Sequence, residues 1–126
     1  MTNCTLSRAE RYYQLLGEKN SEEISKLLHP QATFRSALAS LKGKEAVMEA
    51  ISNFMHMLSE LNVRTIMEKG DQAIAVYEIT VPGCVEDFPA AALLTFDDGL
   101  IRSLELFYDT LPFVQKKEEI FSSAAS

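Results

Sequence analysis

The residues of this sequence that could do chemistry are few, and they lie in otherwise apolar stretches. Tyr12 is in a predicted helix, His56 lies between two methionines, and Arg102 interrupts an apolar run. Tyrosine and histidine can donate or transfer protons, whereas a buried arginine needs an anion or a set of acceptor oxygens. Tyr12 and His56 are therefore candidate catalytic residues, and Arg102 is a candidate ligand-binding residue. Each also has a structural interpretation, as a core tyrosine, a structural histidine, and an arginine near a strand start that reaches solvent.

Other chemical arrangements are missing from the sequence. His29 and His56 are far apart and have no facing carboxylates, so they predict no metal site. Cys4 and Cys84 fit no metal or redox spacing and are interpreted as lone thiols, although a disulfide between them stays open. There is no glycine-rich phosphate loop and no Ser–His–Asp arrangement. We expect neither a metal nor a cofactor.

Length and composition indicate a single globular domain. The chain has 126 residues, of which 47% are hydrophobic and 24% charged, values typical of one soluble domain. A net charge of -6 argues against binding to nucleic acids or anionic membranes. No apolar run approaches the roughly 20 residues of a membrane helix. We expect a cytoplasmic protein with one domain over residues 1–113 and a frayed tail over 114–126.

The order of the predicted elements favours an α+β fold. Ser7 and Glu10 match a capping box at the start of the first helix, and Gly17 ends it. From residue 62 the apolar period changes from helical to alternating, and Asp97-Asp98-Gly99 predicts a tight hairpin. Helices followed by an antiparallel meander indicate α+β rather than alternating α/β. The predicted helices are 7–17, 20–29 and 44–61, and the predicted strands are 32–35, 62–69, 72–81, 88–96 and 100–108.

Alternation along the strands separates two faces of the predicted sheet. One face is almost entirely apolar and is expected to pack against the helices. It comprises Ala73, Ala75, Tyr77, Ile79, Val81, Phe88, Ala90, Ala92, Leu94, Phe96, Leu100, Arg102, Leu104, Leu106 and Tyr108. The opposite face mixes Ile74, Val76, Leu93, Ile101 and Phe107 with polar residues. An exposed apolar patch of this kind marks an interface, so we predict a homodimer through the outer face of the sheet.

Four segments occur in an order that resembles a known superfamily. They are Glu10–Tyr13, His29–Phe34, Lys42–Ala46 and Leu104–Asp109. Their order and spacing resemble the nuclear transport factor 2-like superfamily, in particular its SnoaL-like and ketosteroid-isomerase branches, over residues 6–113. The resemblance implies a cone-shaped α+β fold with three N-terminal helices packed on a curved, mainly antiparallel sheet. It also implies an apolar pocket at the wide end of the cone.

The resemblance implies catalytic positions that this chain only partly fills. Ketosteroid isomerases use a helix tyrosine, a carboxylate base and a protonated aspartate. The matching positions here are Tyr12 (with Tyr13 adjacent), Ser36 and Ala92. Serine and alanine cannot serve as the base and the acid, which argues against steroid-isomerase chemistry. The Asp–Arg–Asp constellation of the epoxide-hydrolase branch is also missing, because no inward carboxylates flank Arg102.

Three functional interpretations remain open. The leading one is a dimeric domain that binds a small apolar or weakly anionic ligand in the cone. The second is a cyclase, isomerase or dehydratase that uses Tyr12 as electrophile and His56 or a water-assisted Ser36 in proton transfer. The third is a non-catalytic protein-interaction module with a filled cone. The predicted pocket residues are Tyr12, Ser36, Phe54, Leu58, Tyr77, Ile79, Ala92, Leu94, Arg102, Leu104, Leu106 and Tyr108.

Overall fold

A computed structural model describes residues 5–116, of which the side chains of 5–113 are placed. Cys4 and residues 117–126 of the predicted tail lie outside the described residues. The helices are α1 (Thr5–Glu18), α2 (Ser21–Ser25), α3 (Lys44–Met57) and a C-terminal 3-10 helix (Leu111–Lys116). The strands are β1 (Leu28–Arg35), β2 (Ser40–Lys42), β3 (Glu60–Lys69), β4 (Gln72–Val81), β5 (Val85–Asp97) and β6 (Leu100–Phe107).

The six strands form one curved sheet in the order β2-β1-β6-β5-β4-β3. Strands β3 to β6 make the predicted antiparallel meander, whereas β1 pairs with β6 in parallel. The predicted hairpin between β5 and β6 is confirmed, with positive φ at Asp98 (57°) and Gly99 (80°), as a two-residue turn between twisted strands requires. The three α-helices cover the inner face of the sheet, so the predicted α+β fold class is confirmed.

The boundaries of the second and third helices were predicted wrongly. The second helix ends at Ser25 rather than at His29-Pro30, and β1 already begins at Leu28. A residue before proline avoids the α region, and Leu28 pairs with Ile101 of β6, so this segment is extended. The third helix ends at Met57 rather than at residue 61, because Leu58 adopts an extended conformation and β3 begins at Glu60.

The start of α1 also differs from the predicted capping box. The helix already includes Thr5, so Ser7 lies within its first turn. The Leu6 N–H instead donates to Glu68 Oε1 at 2.6 Å, and the Thr5 hydroxyl donates to the Gly70 carbonyl at 2.8 Å. A carboxylate near a helix N-terminus complements the helix dipole. The β3–β4 hairpin therefore caps α1 from a distance in sequence.

A bulge in β6 changes which of its side chains face inward. Thr95 pairs with Ser103 but Phe96 pairs with Ile101, so Arg102 is an extra residue with no partner in β5. Ile101 is fully buried and Arg102 is not. The predicted assignment of Ile101 to the outer face and of Arg102 to the inner face was therefore wrong. The alternation predicted for β4, with Ala73, Ala75 and Tyr77 among its inward residues, is confirmed.

Candidate functional site

The interior of the cone contains an apolar cavity of about 70 Å³ between α1, α3 and the concave face of the sheet. Its lining comes from helices, strands and the C-terminal 3-10 helix, so the cavity forms only when these elements pack together in the folded chain. The lining residues are Tyr12, Tyr13, Leu16, Phe34, Ala50, Ile51, Phe54, Tyr77, Ile79, Phe88, Ala90, Leu104, Leu106, Tyr108 and Phe113.

All the polar side chains that residues 5–113 contribute to this cavity are tyrosines. The chain has four tyrosines, Tyr12, Tyr13, Tyr77 and Tyr108, and all of them line the cavity. The rings of Tyr12 and Tyr13 pack edge to face with centroids 4.9 Å apart, and those of Tyr13 and Tyr77 are 5.2 Å apart. The wall is therefore hydrocarbon interrupted by phenol hydroxyls.

The three deepest tyrosines are held in their neutral form. Burial raises the pKa of Tyr12, Tyr13 and Tyr77, and repulsion from a neighbouring phenolate would raise the pKa of each further. Tyr13 donates a hydrogen bond to Tyr77, which opposes part of the rise at Tyr77. Because Tyr77 accepts in this bond, its own proton can be donated to another acceptor.

Tyr108 lies nearer the surface and is held by the turn after β1. Burial raises the pKa of Tyr108, and a hydrogen bond from Ser36 opposes that rise. Ser36 Oγ in turn accepts from the Leu38 N–H at 3.2 Å. Ser36 therefore positions the Tyr108 hydroxyl and does not itself line the cavity.

The cavity offers hydrogen bonds but little acid–base chemistry. Within residues 5–113, no carboxylate, imidazole, ammonium, guanidinium or thiol lines it. A neutral phenol can polarise a carbonyl or bind a hydroxyl, but proton abstraction near neutral pH needs a base of lower pKa. The described part of the chain also has no group of three histidine, cysteine or acidic residues placed to hold a metal ion.

The candidate ligand-binding residue Arg102 and the candidate catalytic residue His56 lie away from the cavity. Arg102 leaves the inner face at the β6 bulge, and its Nη1 donates to the carbonyl oxygen of Gln31 in β1. His56 is exposed on α3, where its Nδ1 lies 2.8 Å from the Ser52 carbonyl oxygen. Neither residue lines the cavity, so Arg102 places no cation in its wall and His56 no imidazole.

The other predicted pocket residues divide into two groups. Those brought together around the cavity are Tyr12, Phe54, Tyr77, Ile79, Leu104, Leu106 and Tyr108. Leu58, Ala92 and Leu94 are buried in the core without reaching the cavity.

Several lining residues were missed by the sequence prediction. Phe88 and Ala90 have the inward alternation of β5, which was a usable signal. Tyr13 is adjacent to Tyr12, and a helix can present both to a wide cavity. Phe113 gave no signal, because it follows the last strand and belongs to no periodic pattern.

The mouth of the cavity is mainly aromatic and is narrowed by Phe113. Phe54, Phe88, Leu106 and Tyr108 are half-buried, whereas the deeper walls are fully covered. Phe113 packs edge to face against Phe88 and Tyr108, with ring centroids 5.3 and 5.4 Å apart. Its side chain is only 3% exposed, so the ring points inward among the residues of the mouth.

The outer face of the sheet carries a second feature, an apolar patch. We call Met67, Ile74, Leu93 and Phe107 the outer patch; Ile74 pairs with both Met67 and Leu93 across neighbouring strands. Met67 is 58% and Phe107 50% exposed. The ion pairs Arg35–Glu105 (3.1 Å) and Arg64–Glu78 (3.8 Å) lie on the same sheet.

Comparison with known proteins supports the fold. No curated protein matches the chain in sequence. A protein from Kribbella flavida DSM 17836 has 19% identity and a TM-score of 0.81, covering 94% of this chain and 96% of its own. An NTF2-like protein of unknown function from Cytophaga hutchinsonii ATCC 33406 has 21% identity and a TM-score of 0.78, covering 90% of this chain and 96% of its own. A steroid delta-isomerase from Pseudomonas aeruginosa has 19% identity and a TM-score of 0.78, covering 96% of this chain and 91% of its own.

At these identities the structural neighbours establish the fold alone, and the fold hosts many activities. Among residues 5–116, no helix is long and apolar enough to cross a membrane. The model of the SnoaL-like domain matches residues 9–104, which is most of the chain. The chain therefore belongs to the SnoaL-like domain family, within the nuclear transport factor 2-like fold.

Proposed function

We propose that this protein binds a small, uncharged, mainly apolar molecule that carries one hydrogen-bond acceptor, such as a cyclic or aromatic ketone. The observation that carries the proposal is the lining of the cavity, in which, among residues 5–113, four neutral tyrosines are the only polar side chains among hydrocarbon. In such a cavity, burial of an apolar ring and one hydrogen bond from a phenol both favour binding.

The electrostatics of the site favour a neutral ligand over an anion. An anion in an apolar cavity needs a compensating charge, and none of the described lining residues provides one. Arg102, the cation expected from the sequence, is engaged by the Gln31 carbonyl oxygen instead. We therefore narrow the ligand from apolar or weakly anionic to uncharged.

A matched set of three ring compounds tests the proposal. Acetophenone carries a carbonyl acceptor, ethylbenzene lacks the acceptor, and benzoate replaces the acetyl group by a carboxylate. Titration calorimetry is expected to show the tightest binding for acetophenone, weaker binding for ethylbenzene and the weakest for benzoate. The Tyr77→Phe variant should lose about 1 kcal/mol for acetophenone, roughly a factor of five, and nothing for ethylbenzene. Tightest binding of benzoate, or no binding of any of the three, would refute the proposal.

The cyclase, isomerase or dehydratase alternative finds less support in the cavity. Tyr12 lines it and could act as an electrophile, but His56 and Ser36 do not line it. This alternative would be supported if the protein turned over an enolisable ketone and the Tyr12→Phe variant did not. The filled-cone interaction module is disfavoured by the free volume of about 70 Å³.

We also propose that the protein is a homodimer joined through the outer patch. A patch of exposed Met67, Ile74 and Phe107 on a sheet face is the kind of surface that association buries. A two-fold interface repeats the same patch on both subunits, so one substitution acts twice.

Light scattering of the eluted protein at micromolar concentration tests this assembly. The wild type is expected to have the mass of two chains, and Ile74→Lys that of one. Gln14→Lys, which makes the same charge change on exposed α1, is the matched control and should stay dimeric. A wild type that has the mass of one chain would overturn the proposal.

A further inference from the structure

The cavity is smaller than the ligand that its chemistry suits. Its free volume is about 70 Å³, whereas an apolar cavity known to take benzene measures about 150 Å³. Pockets for larger organic ligands span roughly 300–1,000 Å³. Part of the wall must therefore move before a ring can enter.

Phe113 is the part of the wall with the weakest attachment to the fold. The deep walls belong to α1, α3 and the sheet, whose backbone groups are fixed in long ladders. Phe113 belongs to the six-residue 3-10 helix Leu111–Lys116, which follows β6 through a connection, residues 108–110, without regular structure. Short 3-10 helices have poorer hydrogen-bond geometry than α-helices, so this segment is the easiest to displace.

Among residues 5–113, the hydrogen bonds that hold the segment are mostly local, and the Leu111 N–H donates to Asp109 Oδ1 at 3.1 Å. The Phe113 N–H donates to the Thr110 carbonyl oxygen at 2.9 Å within the turn. The Cys84 Sγ donates to the Pro112 carbonyl oxygen at 3.3 Å, a weak bond from the β4–β5 turn. Leu111, in the same helix, is 78% exposed and contributes little packing. Among the described side chains of this helix, the buried Phe113 ring is thus the main anchor.

We infer that Phe113 is an internal stopper that occupies the mouth half of the ligand site and must swing out before a ring-sized ligand binds. This inference rests on the proposed function and adds a specificity-determining residue to it. The ligand ring then takes the place of the Phe113 ring between Phe88 and Tyr108, where the same edge-to-face contacts are available.

The inference predicts that the stopper lowers apparent affinity. If the open state is populated at about 0.1–10%, the apparent dissociation constant is raised by the inverse of that fraction. Phe113→Ala removes the stopper, so its affinity for acetophenone should rise by roughly tenfold to a thousandfold. The association rate should rise with it, because opening no longer limits entry.

Calorimetry and stopped-flow binding of acetophenone to four proteins test the inference. These are the wild type, Phe113→Ala, the exposed control Leu111→Ala, and the double variant Phe113→Ala/Tyr77→Phe. Leu111→Ala should bind as the wild type does. The double variant should bind roughly fivefold more weakly than Phe113→Ala, which locates the ligand beside Tyr77 rather than in an unrelated hole. Circular dichroism reports whether each variant is folded, and Phe113→Leu serves if Phe113→Ala is not.

The outcomes separate the inference from the proposed function. Binding to the wild type with no gain in affinity or rate on removal of Phe113 would overturn the stopper and leave the ligand proposal standing. Binding to neither the wild type nor the folded Phe113 variant would refute both. A gain in affinity on removal of Phe113 that Tyr77→Phe leaves unchanged would mean that the ligand only fills the cavity left by the Phe113 ring. That result would also overturn the inference.

Discussion

Alkaline pH should destabilise this protein steeply, because burial opposes the ionisation of its deepest tyrosines in the folded state. Burial raises the pKa of Tyr12, Tyr13 and Tyr77 above the ordinary value of 10.0. A group whose pKa is raised on folding contributes stability that is complete below its unfolded pKa and is lost as the pH rises towards the folded pKa. The window of loss therefore opens near pH 10.0 and continues upwards.

The size of the effect follows from the number of buried phenols. One retained proton changes the free energy of unfolding by about 1.4 kcal/mol per pH unit once the unfolded phenol is ionised. Three such tyrosines give a limiting slope of about 4 kcal/mol per pH unit, downwards. Since domains have only about 5–15 kcal/mol of stability, unfolding should follow within a few pH units.

Urea unfolding at a series of alkaline pH values measures the slope, and tyrosinate absorbance reports ionisation. The chain has no tryptophan, so its near-ultraviolet absorbance comes mainly from tyrosine. Tyrosinate should appear cooperatively, with loss of the circular dichroism signal. Tyr77→Phe should reduce the slope by about 1.4 kcal/mol per pH unit, and the less buried Tyr108→Phe by less. Gradual ionisation of Tyr12, Tyr13 and Tyr77 in the folded protein near pH 10.0 would refute the reasoning.

Two further predictions concern stability, and both are checked by urea unfolding at neutral pH. Leu94→Ala should cost about 2–5 kcal/mol, because Leu94 is fully buried in the core, while Leu106→Ala at the half-buried mouth should cost less. Equal costs would contradict the division between core and mouth. Glu68→Gln should cost about 0.3–1 kcal/mol, because it removes the carboxylate that accepts from the Leu6 N–H at the start of α1. An unchanged midpoint would show that this cap contributes nothing.

Much of the fold could be predicted from the sequence because local pattern and tertiary burial agree. The alternation of β4 identifies Tyr77 and Ile79 as inward, and both line the cavity. The hairpin at Asp97-Asp98-Gly99 is specified by residues that tolerate positive φ. The order of the segments then identified the superfamily.

The errors come from features that no local pattern encodes. The bulge at Arg102 inserts one residue into β6 and reverses the alternation before it, and nothing in the sequence marks that insertion. The position of Phe113 depends on how the chain after β6 folds back onto the mouth. The free volume depends on the sum of all packed side chains, so the sequence could not show whether the cone is open. The domain limits 1–113, the frayed tail and a cytoplasmic location stay predictions.

A crystal of the protein soaked with a bromine-substituted acetophenone tests the central claim most directly, because bromine is located by its anomalous scattering. The account predicts one bromine site at the mouth between Phe88 and Tyr108, with Phe113 displaced and the ketone oxygen within hydrogen-bond distance of the Tyr77 hydroxyl. Bromine bound only on the outer surface, with Phe113 still in the mouth at saturating ligand, would contradict it.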